Sequence, residues 1–286
     1  MKILKKVVLI FSTTLLLLLV LLNSCATFKD SDAKIYKAFK KDHKKIKIYR
    51  TAYHNKTLRY ISNKAIDSNL PTLLFIHGAP GSSDNFYRYL KDNELAKKAN
   101  LITLDRLGYG YSDYGNSETS IEVQAESIYT IIQKHELKNV IVIGWSYGVP
   151  IAAKMAYNYS EIKHSILIAG AISPNDEKFF ALAKPLQWKL TKWMFSKAMR
   201  VSNDEKITHV AELEKMQDNW QHIKTPILYY HGTKDWIVPY KNLAFIKEKV
   251  TDSLLTAKTI QKGNHFIIFK NFEMIKKDIL TALEKI

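Results

Sequence analysis

A serine stands between two glycines at Gly144-Trp145-Ser146-Tyr147-Gly148, after the apolar run 140–143 and before a stretch of helical character at 149–159. A hydroxyl at such a strand-to-helix turn is held above the end of a sheet. Backbone N–H groups and a helix N-terminus there favour developing negative charge. The chemistry this suits is attack on a carbonyl carbon. A serine hydroxyl needs a base to take its proton, and the base needs an acid to orient it. Histidines that follow apolar runs are His77, His231 and His265, and carboxylates placed in the same way are Asp105, Asp176 and Asp235.

These residues need a scaffold that brings them to one place. Residues 46–61 alternate in period two about Asn55-Lys56, which reads as an opening hairpin. Apolar runs at 72–76, 101–104, 140–143, 166–168, 226–230 and 254–260 read as strands. Helices are expected at 84–98, 120–135, 149–159, 240–250 and 271–284; the second carries the stripe Ile121, Ala125, Ile128 and Ile132. Strands alternating with helices imply crossover connections and a mostly parallel sheet, an α/β fold. Ligand sites in such sheets lie beyond the carboxyl ends of the strands, which is where all the candidate residues fall.

Three further motifs accompany the elbow. His77-Gly78-Ala79-Pro80-Gly81 ends one strand, and Asp105-Arg106-Leu107-Gly108-Tyr109-Gly110-Tyr111-Ser112 ends the next. With Ser146 they closely resemble the α/β-hydrolase superfamily, and more narrowly its cofactor-free esterases, peptidases and C–C hydrolases, over residues 46–286. The resemblance implies the α/β-hydrolase fold: a mostly parallel twisted sheet, helices on both faces, and a helical cap inserted at 171–223. It implies no cofactor and no metal. The backbone N–H groups of Ala79 and Tyr147 would form an oxyanion hole. The stretch from His231 to Pro239 resembles the family's G-x-x-D-x-x-V-P acid loop, and Gly263-Asn264-His265-Phe266 its G-x-H-F histidine loop. Ser146 is then the nucleophile, His265 the base and Asp235 the acid. Asp176 is the alternative acid, because some members carry it after the earlier strand. His77 and His231 precede glycines and read as loop-shaping, and Asp105 is carried over as structural. Ser146 separates the chain from haloalkane dehalogenases and epoxide hydrolases, which use Asp at the elbow. The loop also resembles prolyl aminopeptidases, which usually show Gly where Ala79 stands.

The N-terminal residues read as a targeting segment. Met1 to Lys6 is positive, and residues 7–22 are apolar apart from Ser12, Thr13 and Thr14. A helix over that run is about 24 Å long, short for the hydrocarbon core and suited to a secretion signal. Leu22-Asn23-Ser24-Cys25 resembles the lipobox of bacterial lipoproteins, and Cys25 is the only Cys of the chain. The expected division is a signal at 1–24, a lipidated basic tether at 25–45 beginning with Cys25, and the hydrolase domain at 46–286. Residues 28–50 carry nine Lys/Arg against three Asp, with Ile35, Ala38 and Phe39 at helical spacing. That pattern suits a short helix on anionic head groups, or a solvated linker. The protein is expected at the cell envelope, held at the extracytoplasmic face.

The net charge of +16 suits a Lys-rich solvated surface or an anionic partner. No nucleic-acid-binding motif, metal-ligand spacing or dinucleotide fingerprint accompanies it. The expected partners are the membrane, through a lipid anchor, and a small apolar ester or amide. Aromatic and Met residues in the insertion (Phe179, Phe180, Trp188, Trp193, Met194, Phe195) suggest an apolar pocket, or packing of the cap onto the core. Carboxylic-ester hydrolysis through an acyl-enzyme is the leading expectation. Amide cleavage or acyl transfer is the enzymatic alternative, and a catalytically silent binding protein the reading from another class.

Overall fold

The structure, a computed structural model, describes residues 5–7, 9–15, 26–179, 181 and 183–286. Cys25 and Phe180 lie outside the described residues, as does half of the apolar run 7–22. Among the described residues no helix is long and apolar enough to cross a membrane.

Eight strands form one sheet in the order β1-β2-β4-β3-β5-β6-β7-β8. They are β1 (Lys47–Tyr53), β2 (Lys56–Ser62), β3 (Thr72–Ile76), β4 (Asn100–Leu104), β5 (Val140–Trp145), β6 (Ile162–Ile168), β7 (Ile227–Gly232) and β8 (Leu255–Ile260). β1 and β2 pair antiparallel, β2 pairs antiparallel with β4, and the remaining pairs are parallel. The longer helices of the body are α1 (Asp32–Lys40), α2 (Ile121–Lys134), α3 (Gly148–Asn158), α4 (Lys197–Met216), α5 (Asn242–Lys249) and α6 (Phe272–Leu283).

The central strands are apolar throughout because both faces of the sheet are covered. Leu74, Ile76, Val140 and Val142 point to the face covered by α2, α3 and α5. Leu73, Phe75, Ile141 and Ile143, one residue out of step, point to the face covered by α1 and α6. The crossovers leave the ends of β3, β5, β7 and β8 on one edge, where the site forms.

Two sequence expectations change in the structure. The basic stretch expected as a tether is docked on the body: Ile35 and Phe39 of α1 are fully buried, and Phe39 packs edge-on against Tyr87. Asp32 at the start of α1 pairs with Arg50 and Arg59. The apolar side of this helix is therefore occupied by the protein core. The single helix expected at 84–98 is broken into a 3-10 turn and the short helices Tyr87–Leu90 and Asn93–Lys98. Asp92 breaks it, because its carboxylate accepts from the amides of Glu94 and Leu95 and so caps a new helix.

Candidate active site

The elbow is built by backbone geometry before any side chain acts. Ser146 has φ +56°, a left-handed conformation costly for a residue with a Cβ. Its amide donates to Ile168 O at 3.0 Å, and its carbonyl accepts from the Val149 amide at 3.0 Å. The turn is tight enough that a Cβ on Gly148 would strike the Ile76 carbonyl. A Cβ on Gly78 would come within 2.9 Å of the Ser146 Cβ. Glycine at these two positions lets the β3 and β5 loops close on each other.

The acid and the base come from the two strands next to each other at the far side of the sheet. Asp235 follows β7, and its Oδ1 accepts from the Ile237 and Val238 amides at 3.0 and 2.8 Å. Its Oδ2 accepts from His265 Nδ1 at 2.8 Å. With the proton on Nδ1, His265 Nε2 is left as an acceptor, and the Ser146 Oγ lies 2.9 Å from it. All three side chains are buried. Asp176 is elsewhere: its carboxylate accepts from Ser173 Oγ at 2.8 Å, in a 3-10 turn after β6. The structure thus brings together Ser146, His265 and Asp235, and leaves Asp176 out of the line.

The other histidines serve loops. His231 sits with Nε2 at 3.1 Å from Val238 O and Nδ1 at 3.0 Å from the Tyr229 hydroxyl. Burial holds its pKa below the ordinary value. His77 accepts from the Arg106 amide at 3.0 Å, and burial beside the Arg106 charge holds it neutral far below the ordinary range. Asp105 is fully buried against the Arg59 guanidinium and accepts from the Ser83 and Tyr111 amides, a structural role.

Two positioning interactions have no counterpart in the sequence reading. The Trp145 indole donates to His265 O at 3.1 Å, tying the histidine loop to the elbow. Arg106 donates to His77 O and Gly78 O, both at 3.0 Å, and so holds the loop that carries Ala79. Its charge is met by Glu205 of α4, bidentate at 2.5 and 3.2 Å, which also accepts from the Tyr109 hydroxyl at 2.6 Å. The motif containing Arg106 marks the loop, but nothing local marks a partner ninety-nine residues away. Among the described residues the amides of Ala79 and of Tyr147, the residue after Ser146, donate to no protein acceptor, unlike that of Ser146.

A cavity of about 260 Å³ opens beside Ser146. Most of its wall is apolar, from Ala79, Pro80, Leu186, Met199, Ile237 and Val238. Among the described residues, the aromatic side chains of the insertion do not line that wall. Phe179, Trp188 and Trp193 are each more than half exposed. One corner is polar, made by Glu177, Asn203, Lys206 and His209. Glu177 accepts from Lys206 and, at 3.0 Å, from His209 Nδ1. Burial by itself would raise the Glu177 carboxyl, but the bond from His209 and the nearby Lys206 ammonium hold it below its usual value. His209 Nε2 and Asn203 Nδ2 are buried with no protein partner among the described residues. Buried polar atoms of this kind are ordinarily satisfied, so both are open to a ligand.

Comparison with known proteins bears on this geometry. A family model described as alpha/beta hydrolase fold matches residues 71–203. An esterase from Exiguobacterium antarcticum superposes with a TM-score of 0.66 at 20% identity, over 82% of this chain and 98% of the esterase. A membrane phospholipase A, a bacterial virulence factor, superposes at 0.64 and 16% identity, over 100% of this chain and 99% of that one. The fold is that of the α/β hydrolases. A 1-acylglycerol-3-phosphate O-acyltransferase of Arabidopsis thaliana is 33% identical over 122 residues. That stretch is 40% of this chain and 28% of the acyltransferase, so the chain spans less than a third of that relative's length.

Proposed function

We propose that this protein is a serine hydrolase that cleaves a carboxylic ester through an acyl-enzyme. The observation that carries the reading is the line Ser146 Oγ–His265 Nε2 at 2.9 Å and His265 Nδ1–Asp235 Oδ2 at 2.8 Å. In this reading His265 takes the Ser146 proton as Oγ attacks the ester carbonyl. The resulting oxyanion is received by the Ala79 and Tyr147 amides, and collapse expels the alcohol with the proton from His265. Water activated by His265 then releases the acid. Asp235 fixes the tautomer and balances the imidazolium. The apolar wall suits an acyl chain, and the Asn203–His209 corner suits an oxygen-bearing head. The esterase and phospholipase among the fold relatives accord with this reading.

A second reading is acyl transfer, with an acceptor alcohol in place of water. The acyltransferase relative favours it, as does a polar corner that could hold a hydroxyl. Location at the cell envelope, with Cys25 lipidated, belongs to the same proposal and rests on the sequence.

A fluorophosphonate probe should label Ser146, and Ser146→Ala should lose the label and all turnover while keeping its melting temperature. A panel of p-nitrophenyl esters and aminoacyl-anilides, with and without an added alcohol, separates hydrolysis, amide cleavage and transfer. Labelling of another residue, or turnover by Ser146→Ala within about tenfold of wild type, sinks the assignment.

A further inference from the structure

We propose that the outer side of the inserted segment 178–203 is a docking surface for an anionic phospholipid bilayer, and that an acyl lipid of that bilayer is what enters the cavity. The clause about substrate rests on the reading of Ser146 as nucleophile; the docking does not.

The surface has the composition of a membrane interface. Trp188 and Leu190 are 60% and 67% exposed, and Phe179 of the same segment is 59% exposed. Large apolar side chains gathered on one exposed segment mark an interaction site more often than free surface. Between Lys178 and Asn203 there are six Lys/Arg and no Asp or Glu. Lys184, Lys189 and Lys192 alternate with the apolar residues and are exposed, and none of the three pairs with a carboxylate among the described residues. Tryptophan and leucine set among lysines suit the boundary between head groups and acyl chains, where the rings are buried and the ammonium groups meet phosphate. A polar protein partner would satisfy the lysines but not the rings.

Two contacts fix where this face lies. The Ser196 hydroxyl donates to Ala26 O at 2.6 Å, and the Tyr114 hydroxyl to Thr27 O at 3.1 Å. The chain therefore enters the body beside the start of α4, only three residues beyond Trp193 in sequence. Cys25 immediately precedes Ala26 in the sequence. A lipid anchor on the residue before Ala26 tethers the chain at the Ser196 end of this segment, so anchor and face engage one membrane together. The same segment walls the cavity: Ala183, Leu186 and Met199 line it. Its inner side meets the substrate and its outer side the bilayer, which makes the path from lipid to Ser146 short.

The test uses the full chain in vesicles of phosphatidylglycerol with brominated acyl chains, which quench nearby tryptophan. Association through the residues before Ala26 is then common to all variants, and the quenching reports where Trp188 sits. Quenching should fall about twofold in Trp188→Phe, and likewise for wild type in brominated phosphatidylcholine. Leu190→Glu should cut hydrolysis of vesicle phospholipid about tenfold and leave a soluble short-chain ester unaffected. Equal quenching of wild type and Trp188→Phe overturns the docking, as does sedimentation showing Trp188 covered by a second copy. Equal loss of both substrates in Leu190→Glu also overturns it. If Ser146→Ala is quenched like wild type yet hydrolyses the soluble ester, the nucleophile reading fails and the docking stands.

Discussion

The indole nitrogen of Trp145 donates to the main-chain carbonyl of His265 at 3.1 Å, so the residue before the proposed nucleophile holds the loop of its base. Trp145→Phe keeps an aromatic ring against His265 and Phe269 but removes the donor. The histidine loop should then wander while the substrate pocket stays intact. The turnover number should fall about tenfold with KM nearly unchanged, because misplacing a reacting group by a fraction of an ångström is costly. Steady-state kinetics check this, and a rise in KM with no loss of turnover would refute it.

Asp235→Asn should lower the turnover number by about 10³–10⁴, since the imidazole loses both its tautomer and its charge partner. Asp176 bonds Ser173 and takes no part in the line, so Asp176→Asn should change the turnover number less than about threefold. Comparable losses in the two variants would mean that the acid is shared or misassigned.

Asn203→Leu should separate stability from activity. The Asn203 Nδ2 is buried without a protein partner, a state that costs free energy relative to an apolar side chain of similar shape. The variant should be as stable as wild type or more so, by up to about 1 kcal/mol in urea titration. Its kcat/KM should drop about tenfold or more for an ester bearing a free hydroxyl near the carbonyl, and little for a plain alkyl ester. Equal effects on the two esters would show that the polar corner does not read the substrate.

Stability should fall as the solution is acidified from pH 7.5 to 5.5. His77, His135, His164 and His231 have pKa values lowered chiefly by burial, so the folded state binds fewer protons than the unfolded chain as the pH falls through the ordinary histidine range. The unfolded state is then favoured by acid, and the stability these histidines contribute at neutral pH is lost as pH falls. His231→Gln should reduce that loss. A slope unchanged by the substitution, measured by urea unfolding at each pH, would count against a neutral His231.

Much of this molecule was legible because its strands are short, apolar and followed by motifs that demand a tight backbone. The run at Thr72–Ile76 is bounded in the structure as its composition suggests, and the elbow places Ser146 at the turn between β5 and α3. Less legible were features that depend on partners far along the chain. Apolar spacing in α1 reads equally well for a lipid surface and for a protein core, and only the fold shows Ile35 and Phe39 turned inward. The reverse holds for Trp188, whose type suggests burial but whose side chain faces outward. The polar corner joins Glu177 to His209 across thirty-two residues, a separation that carries no periodic signal.

The pair formed by Arg106 and Glu205 bears on how this fold can diversify. Arg106 grips the loop that carries Ala79, while its counter-charge stands on α4, a helix within the inserted segment. A graft of residues 171–223 from a relative without that carboxylate would bury an unmatched guanidinium, at a cost of about 3–5 kcal/mol. The insertion can be exchanged to change substrate only together with the loop beneath it. The wall of the cavity and the loop that carries Ala79 are therefore coupled through one buried ion pair.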